Sequence, residues 1–377
     1  MKRHIVFEKK EILAVKGGGH MEVFSCKTKI ISGSGAIREL EHLGLRRILV
    51  VADPYFQNTD LPQRLKMAAK AEETEFFFEV TPDPEVTLAA RGAALVRKLQ
   101  PDGVIALGGG SAMDCAKAMV YFSGLTIPLV AIPTTSGSGS EVTDFAVLTH
   151  GGSKHPLVDG AVRPAVAILD GTLLDTLPSG LVADAGYDVL AHAVEGYVAT
   201  GAGSISDALA SAAFAAALRA LPRSYRGDCT VRQEIHVAAT MAGMAFTQAG
   251  LGLCHALAHV LGGRFHVAHG RLNAILLPAV VEANQCAVPK YAALARSAGM
   301  EGTADTVAVR NLKNALIQLR KTLNLPQTLG QVGIPKRQLL QTGLVDAVLA
   351  DPCCATNPEK VNRGLVQQVL EQVSGNG

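Results

Sequence analysis

The sequence predicts an α/β N-terminal domain of the Rossmann-like type, followed by an all-α helical C-terminal domain. Three observations support this fold class. The chain has 377 residues, which exceeds the length at which one hydrophobic core usually stops growing. Its first half alternates short β-branched or aromatic runs with amphipathic helical runs. Its second half carries long segments rich in Ala and Leu that lack the alternation of a strand.

Five short apolar runs in the first half are predicted to form a parallel sheet with helices on both faces. The predicted strands are 47–51, 75–80, 103–107, 129–132 and 166–169. The predicted helices are 36–42, 62–71 and 85–99. The last of these helices follows the turn-forming sequence Pro82-Asp83-Pro84.

The second half of the chain is predicted to be entirely helical, with segments such as 205–221 and 233–249. The segment 235–263 carries no formal charge and is long enough to cross a bilayer. Its polar threonine, glutamine and histidine side chains are costly in hydrocarbon, and they favour buried helices of a soluble bundle.

Three regions follow from these patterns. Residues 1–22 are polar, contain a run of three glycines and are predicted to be a loosely attached extension. The α/β domain is placed at 23–178 and the helical domain at 179–377. Pro178 ends one element, and Ser179 is predicted to cap the next helix.

Charge and cysteine content limit the class of function. The formal net charge is +2 and no long run of like charges occurs, so neither nucleic acid nor a membrane is an expected partner. The seven cysteines lack CxxC spacing and follow no secretory signal, which indicates a reducing, cytoplasmic setting. The adjacent Cys353 and Cys354 are interpreted as core sulfur and not as metal ligands. A small molecule is the expected partner.

A glycine-rich turn follows the predicted strand 103–107. The sequence Gly108-Gly109-Gly110-Ser111 opens the next helix, where glycines let backbone N–H groups approach a ligand and the helix N-terminus favours negative charge. This arrangement predicts a pyrophosphate site, and the alternative is an ordinary strand-to-helix turn. The GxGxxG pattern is absent, since Gly33-Ser34-Gly35 lacks the third glycine and is interpreted as a turn.

Two further features accompany the glycine turn. The loop 133–140 is rich in hydroxyls and glycines. It is predicted to contact the phosphates or the nicotinamide ribose of a dinucleotide from the side opposite the glycine turn. Asp53 follows the strand 47–51, where a carboxylate accepts hydrogen bonds from an adenosine ribose and repels a 2′-phosphate. An aspartate before proline is also common in simple turns. Asp114 and Lys117 are interpreted as neighbours on a helix surface.

Candidate metal ligands lie in the helical half. Asp188 and His192 are four residues apart, and His255 and His259 repeat that spacing, so each pair projects from one helix face. His269 follows. One carboxylate with several imidazoles suits Fe²⁺ or Zn²⁺ better than Ca²⁺ or Mg²⁺. A single histidine on an apolar helix is more often a hydrogen-bonded core residue, but several in apolar segments favour a metal site. Spacing alone does not choose between His255 and His259.

From about Phe24 to its end the chain resembles the iron-containing (group III) alcohol dehydrogenases. Residues 108–117 resemble the family motif GGGSxxDxAK, and 132–135 resemble the start of its IPTT loop. The candidate metal ligands, with His269-Gly270, occur in the family's order and spacing. A closer resemblance to propanol dehydrogenases of bacterial microcompartments is carried by 79–83, 108–114 and 122–129.

The resemblance implies the architecture shared by dehydroquinate synthase and the iron alcohol dehydrogenases, and it implies the site residues. The implied metal ligands are Asp188, His192, His255 and His269. His259 is then a histidine beside the site and not a ligand. Because an imidazole suits proton transfer near neutrality, His259 is predicted to move protons during catalysis, and the alternative is that it only packs or hydrogen-bonds locally. The implied NAD contacts are Asp53, Gly109, Gly110, Ser111, Asp114, Thr134, Thr135, Ser138, Thr143, Lys154 and Leu173. The implied substrate pocket is lined by Phe145, Phe246 and Cys353.

Four residues depart from the usual family pattern without removing a ligand. Ser138 stands where Thr is usual, Tyr187 where Met is common, Ala268 where Pro is usual, and Arg271 follows the site. The last three bear on the shape of the pocket.

The sequence therefore predicts a cytoplasmic, NAD(H)-linked homodimer or larger homo-oligomer that interconverts short primary alcohols and aldehydes. Fe²⁺, or alternatively Zn²⁺, would polarise the substrate oxygen. A zinc-dependent polyol dehydrogenase is the alternative within the family. A lyase resembling dehydroquinate synthase is a rival, but its phosphorylated, acidic substrate would require more basic residues than the cleft segments carry. A scaffold protein that has lost catalytic turnover is a second rival, but such a protein would not need the intact set of metal ligands. Residence inside a microcompartment, with its shell or cargo proteins as partners, follows from the closer resemblance.

Overall fold

The computed structural model describes residues 22–151, 153–339 and 341–375. The predicted N-terminal extension, apart from Glu22, lies outside the described residues. Strands and helices alternate as far as residue 178, and helices alone follow in the described residues after it. The predicted fold class is confirmed.

Six parallel strands form the main sheet and two more form an antiparallel hairpin. The strands are β1 (Lys29–Ser32), β2 (Arg47–Ala52), β3 (Glu73–Phe77), β4 (Gly103–Gly108), β5 (Leu129–Pro133), β6 (Phe145–His150), β7 (Ser153–Val158) and β8 (Val166–Leu169). The order in the main sheet is β1-β8-β5-β4-β2-β3, and the hairpin is β6-β7. The helices of this part are α1 (Leu61–Ala69), α2 (Val86–Leu99) and α3 (Gly110–Ser123).

The sheet is buried on both faces because successive residues of its central strands enter different cores. In β2, Leu49 and Val51 pack with α2 and α3 on one face. Ile48 and Val50 pack on the other face, with α1 and the 3-10 helix Ala36–Leu43. A strand that is apolar on both faces is typical of a parallel sheet covered by helices.

Three details of the α/β part differ from the sequence prediction. The third strand is Glu73–Phe77 and not 75–80, because its pairing with β2 begins at Glu73. The edge strand β1 and the hairpin β6-β7 were not predicted. β1 is four residues long and mostly exposed, and β7 contains Pro156, so neither has the apolar alternation that identifies a strand.

Ten α-helices lie in the described residues after 178. They are α4 (Ser179–Val198), α5 (Ser204–Tyr225), α6 (Arg232–Ala249), α7 (Leu253–Phe265), α8 (His269–Ala283), α9 (Val288–Ser297), α10 (Asp305–Thr322), α11 (Lys336–Leu339), α12 (Thr342–Leu349) and α13 (Arg363–Val373). The prediction that Ser179 caps α4 is wrong. Pro178 occupies the cap position, and no side-chain hydrogen bond caps that end.

The uncharged segment 235–263 is two helices and not one span. α6 and α7 are bent by 105° relative to one another, and Gly250 between them has a φ of 86° that favours glycine. By length and composition α5 is the one helix in the described part that could cross a membrane. It packs against α4 and α6, with Phe214 and Leu221 fully buried.

Helix α10 fixes the two helices that carry most of the candidate metal ligands. Pro278 interrupts the hydrogen bonds of α8, since proline cannot donate to the carbonyl of Ala274. Arg320 of α10 donates Nη1 to that carbonyl at 3.2 Å. Tyr187 of α4 is fully buried and donates its hydroxyl to the carbonyl of Leu316 in α10 at 3.1 Å. The unusual Tyr187 therefore packs in the helical core and does not line the pocket.

Candidate active site

The chain reverses its direction of progress across the sheet between β2 and β4, which creates a crevice at their carboxyl ends. Ligands of open α/β sheets bind in such a crevice. Asp53 follows β2, the glycine turn follows β4, and the hydroxyl-rich loop follows β5. The structure therefore brings these three sequence-predicted features to the same edge of the sheet.

The glycine turn and the hydroxyl-rich loop lie against one another. A Cβ atom on Gly109 would be 3.1 Å from Oγ1 of Thr135, and one on Gly110 would be 3.3 Å from Cβ of Ser138. Gly108 has a φ of 149°, which side-chain-bearing residues rarely adopt. The glycines therefore let the loop pack directly against the start of α3, where bare backbone N–H groups suit a phosphate group.

Asp53 has a local role that sequence reasoning also allowed. Its Oδ1 accepts a hydrogen bond from the backbone N–H of Tyr55 at 2.8 Å, which caps the 3-10 helix Pro54–Asn58. The carboxylate still lies at the carboxyl end of β2, next to the strand that carries the glycine turn. The hydrogen bond from Tyr55 uses Oδ1 of Asp53, so this local role is compatible with the predicted contact between the carboxylate and a ribose.

Asp114 and Lys117 are not surface neighbours, and that prediction is wrong. Lys117 is fully buried, and its Nζ donates to Ser140 Oγ and Thr143 Oγ1 at 2.9 Å and to the carbonyl of Phe145 at 2.7 Å. Ser140 in turn donates to Asp114 at 3.1 Å. Burial lowers the pKa of Lys117 to about 8 and raises the pKa of Asp114 to about 6. Helix α3 packs against both the sheet and β6, so this face is internal.

The other residues implied as NAD contacts differ in their surroundings. Thr143 is fully buried, and its hydroxyl oxygen accepts a hydrogen bond from Lys117. It therefore helps to hold the neighbouring loop in place from the interior of the protein. Lys154 on β7 pairs with Asp83 at 2.8 Å. Leu173 lies in a 3-10 helix after β8 and packs against the core on one face of the sheet.

Four side chains converge in the helical part. Asp188 and His192 lie on α4, His255 on α7 and His269 at the first residue of α8. One ligand atom from each lies within 4.8 Å of the others. Oδ1 of Asp188 is 3.6 Å from Nε2 of His269 and 3.9 Å from Nε2 of His255. His255, and not His259, belongs to this group.

The group fits a divalent metal ion. Nδ1 of His192 is buried and has no hydrogen-bond partner among the residues that the structure describes, which is costly unless something binds there. The His192 ring stacks between Phe246 and His255, with centroids 4.5 Å from each. Burial, with the neighbouring His192 and His259, holds the pKa of His255 well below its usual value. A neutral imidazole is the form that binds a metal.

Glu195 orients His255, and sequence reasoning missed it. Its Oε2 accepts from Nδ1 of His255 at 2.6 Å and from the backbone N–H groups of Gly252 and His255. Its Oε1 accepts from the N–H of Cys254 at 2.7 Å. Burial raises the pKa of Glu195 to about 7 although these bonds oppose it. The bond fixes the ring so that Nε2 faces the other ligands, as carboxylates beside metal-binding histidines do. The position of Glu195 three residues after His192 was the available signal.

Asn273 and Arg271 also support the group and were not predicted to do so. Nδ2 of Asn273 lies 2.7 Å from Asp188 Oδ1 and 3.2 Å from Nε2 of His269. Arg271 donates through two nitrogens to the carboxylate of Asp184, at 2.9 and 3.1 Å. That ion pair joins α8 to α4 one turn before Asp188, so the departure at Arg271 strengthens the support of the site.

His259 lies outside the four-residue group but next to it. Its ring stacks on that of His269, with centroids 5.3 Å apart. Its Nδ1 is 3.0 Å from Oδ2 of Asp351. Burial acts to raise the pKa of Asp351, but the bonds and charge from His259 and the Cys353 amide outweigh it and leave that pKa lowered. Asp351 was not predicted, because it lies far from His259 in sequence.

Helix α6 connects the four-residue group to the crevice at the sheet edge. Thr240 donates at 2.6 Å to Glu141, which directly follows the hydroxyl-rich loop, and Ser136 of that loop contacts His236 at 3.0 Å. The same helix carries Phe246, which stacks on His192 and lies 6.0 Å from Phe145 between ring centroids. Two of the predicted pocket residues therefore meet beside the metal-binding group.

A crevice at the sheet edge that suits a nucleotide, joined through one helix to one carboxylate and three imidazoles that could hold a transition-metal ion, is the arrangement that a metal-dependent dehydrogenase requires. The sequence profile of iron-containing alcohol dehydrogenases matches residues 27–171, and that of the C-terminal part of the Fe-containing alcohol dehydrogenase family matches residues 182–374. The chain belongs to the iron-containing alcohol dehydrogenase family.

Individual relatives agree with this assignment. A 1-propanol dehydrogenase of Citrobacter freundii is 40% identical, over 94% of this chain and 100% of that protein. An NADPH-dependent butanol dehydrogenase of Clostridium saccharobutylicum is 34% identical, over 93% and 97% respectively. The crystal structure of sulfoacetaldehyde reductase from Bifidobacterium kashiwanohense in complex with NAD⁺ has a TM-score of 0.86 and 26% identity, over 95% and 100%.

Proposed function

We propose that this enzyme interconverts short-chain primary alcohols and aldehydes with NAD(H), using Fe²⁺ held by Asp188, His192, His255 and His269. The main support for this proposal is that these four side chains converge beside Phe145 and Phe246. Zn²⁺ suits the same ligands. When bound, the metal ion supplies Lewis-acid polarisation of the substrate oxygen.

The residues around the metal-binding group have separate tasks. Phe145 and Phe246 form an apolar wall that favours a short hydrocarbon chain and excludes water. Glu195 and Asn273 keep the ligand atoms directed at one point. His259 is a half-buried imidazole at the edge of the group, and it moves the hydroxyl proton of the alcohol towards solvent.

The crevice supports the proposed cofactor contacts. The backbone at Gly109, Gly110 and Ser111 binds the pyrophosphate, with the hydroxyls of the following loop opposite. Asp53 selects NADH, because its carboxylate repels the 2′-phosphate of NADPH. A relative at 34% identity is named as NADPH-dependent, so family membership alone does not settle this choice.

The chain is further proposed to act as a homodimer or larger homo-oligomer in the cytoplasm, inside a microcompartment. Its resemblance to microcompartment propanol dehydrogenases supports this, together with 40% identity to a 1-propanol dehydrogenase. Co-purification of the native enzyme with shell proteins tests the location, and an enzyme found only free in the soluble fraction contradicts it.

A substrate panel tests the proposed reaction. Iron-loaded enzyme is assayed with NADH and straight-chain aldehydes of increasing length, and with NAD⁺ against 1-propanol and glycerol. Propionaldehyde and 1-propanol are expected to give a higher kcat/KM than glycerol, because the phenylalanine wall offers no hydrogen-bond partner to the additional hydroxyl groups of glycerol. A preference for glycerol would support the polyol dehydrogenase alternative and contradict the proposal.

A further inference from the structure

His259, Asp351 and Cys353 form a second cluster of metal-binding side chains beside the four-residue group. A ring nitrogen, a carboxylate oxygen and Sγ from these three lie within 4.8 Å of one another. All three residues are half-buried. None of them belongs to the group formed by Asp188 and the other ligands.

The separations are close to those of a metal site. In tetrahedral zinc sites, Zn–N is about 2.0–2.1 Å and Zn–S about 2.3 Å, so neighbouring ligand atoms lie about 3.3–3.6 Å apart. Nδ1 of His259 and Oδ2 of Asp351 are 3.0 Å apart, and no pair exceeds 4.8 Å. Movements of about 1 Å would close the three ligands around one ion, with water as the fourth ligand.

The local fold leaves the required atoms available. Asp351 caps the 3-10 helix Pro352–Thr356 through Oδ1, which accepts from the N–H of Cys353 at 2.9 Å. Its Oδ2 therefore faces His259 on α7. The same cap holds Cys353 near both residues.

Charge and ligand type define the ion. A thiolate and a carboxylate supply two negative charges, which balance a divalent cation. Sulfur with imidazole favours Zn²⁺ or Cd²⁺, whereas the four-residue group contains no sulfur. Burial raises the pKa of the Cys353 thiol well above its usual value, and the ion has to displace that proton to solvent. The site is therefore weaker than a cysteine-rich structural zinc site.

We propose that His259, Asp351 and Cys353 form a second, inhibitory site for Zn²⁺ or Cd²⁺. Binding forms bonds from the ion to Nδ1, the carboxylate and Sγ, breaks the S–H bond, and leaves the ring proton of His259 on Nε2. The ion then withdraws His259 from proton movement. This inhibitory effect, unlike the binding itself, rests on the proposed role of His259.

Cadmium added to the iron-loaded enzyme tests the site. The ultraviolet absorption of cadmium bound to thiolate reports binding, and the initial rate of NADH oxidation reports inhibition relative to each variant without cadmium. Iron content is measured in parallel, because cadmium that replaces iron binds no sulfur there. The variants are Cys353→Ser, His259→Asn and the matched control Cys354→Ser, whose sulfur instead contacts the carbonyl of Val348 at 3.1 Å.

Wild type and Cys354→Ser are expected to gain the same absorption and to lose activity together. Cys353→Ser and His259→Asn should need about tenfold more cadmium, or higher, for the same binding. Equal absorption in wild type and Cys353→Ser would overturn the site, since the exposed cysteines would then account for the signal. If cadmium binds as expected but the enzyme keeps its activity, the site exists but does not inhibit. That result would also contradict the proton-moving role of His259, on which the inhibition depends.

Discussion

Replacing Glu195 by Gln tests how the protein orients His255. The carboxylate accepts four hydrogen bonds, three at Oε2 and one at Oε1. Glutamine has only one acceptor oxygen, and its best placement is at Oε2. The amide nitrogen then faces the N–H of Cys254 across 2.7 Å, so a buried donor meets another donor. Leaving such a group unsatisfied costs about 1–3 kcal/mol of unfolding free energy.

The metal affinity should fall as well. Removing a partner that orients a metal-binding histidine typically weakens binding about 10–100-fold. The assays are chemical denaturation of the metal-free protein and titration of the same protein with Fe²⁺ or Co²⁺. Glu234→Gln is the control, since Glu234 pairs with Arg219 on the surface and its loss should change stability by only about 0.5 kcal/mol. A folded Glu195→Gln protein with wild-type metal affinity would refute the orienting role.

Three further predictions concern the cofactor, the proton and the buried charges. Asp53→Gly should narrow the preference for NADH over NADPH, and an unmodified enzyme with equal kcat/KM for both would show that Asp53 does not set the choice. His259→Gln should retain metal, lower kcat about a hundredfold and alter its pH dependence, whereas loss of metal or an unchanged kcat across pH would contradict the proton role. Because the pKa of Asp114 is raised from 3.8 to about 6, the folded protein keeps a proton there that the unfolded chain loses, so this group contributes a fall in the unfolding free energy of the wild type as pH rises through that interval. Asp114→Asn should lack this fall of about 2–3 kcal/mol, and identical pH profiles of the two proteins, measured by urea denaturation, would contradict it.

Local patterns in the sequence predicted the secondary structure elements and site residues that are determined by residues close to them in sequence. Strands buried on both faces, such as Gly103–Gly108, are continuous apolar runs and were found, whereas the short edge strand Lys29–Ser32 was not. The candidate ligand pair Asp188 and His192 on α4 was visible because one helical turn separates its members. Spacing could not separate His255 from His259. The structure separates them, since Glu195 holds one and Asp351 holds the other.

The missed residues share a physical reason. Asp351, Asn273 and the buried Lys117 act through contacts with residues that are distant in sequence or on another element, and no local pattern records such contacts. Lys117 was misjudged because charged residues on a helix are usually exposed. Here hairpin β6-β7, which was itself not predicted, covers that face of α3.

Metal reconstitution tests the central claim most directly. Protein freed of metal by chelation is titrated anaerobically with Fe²⁺, and bound iron is measured together with propionaldehyde reduction by NADH. Activity should rise in proportion to iron and stop at one ion per chain, and His192→Ala and His269→Ala should bind little iron and remain inactive, because each loses one of four ligands. Full iron occupancy in both variants, or full activity of the wild type without metal, would contradict the assignment.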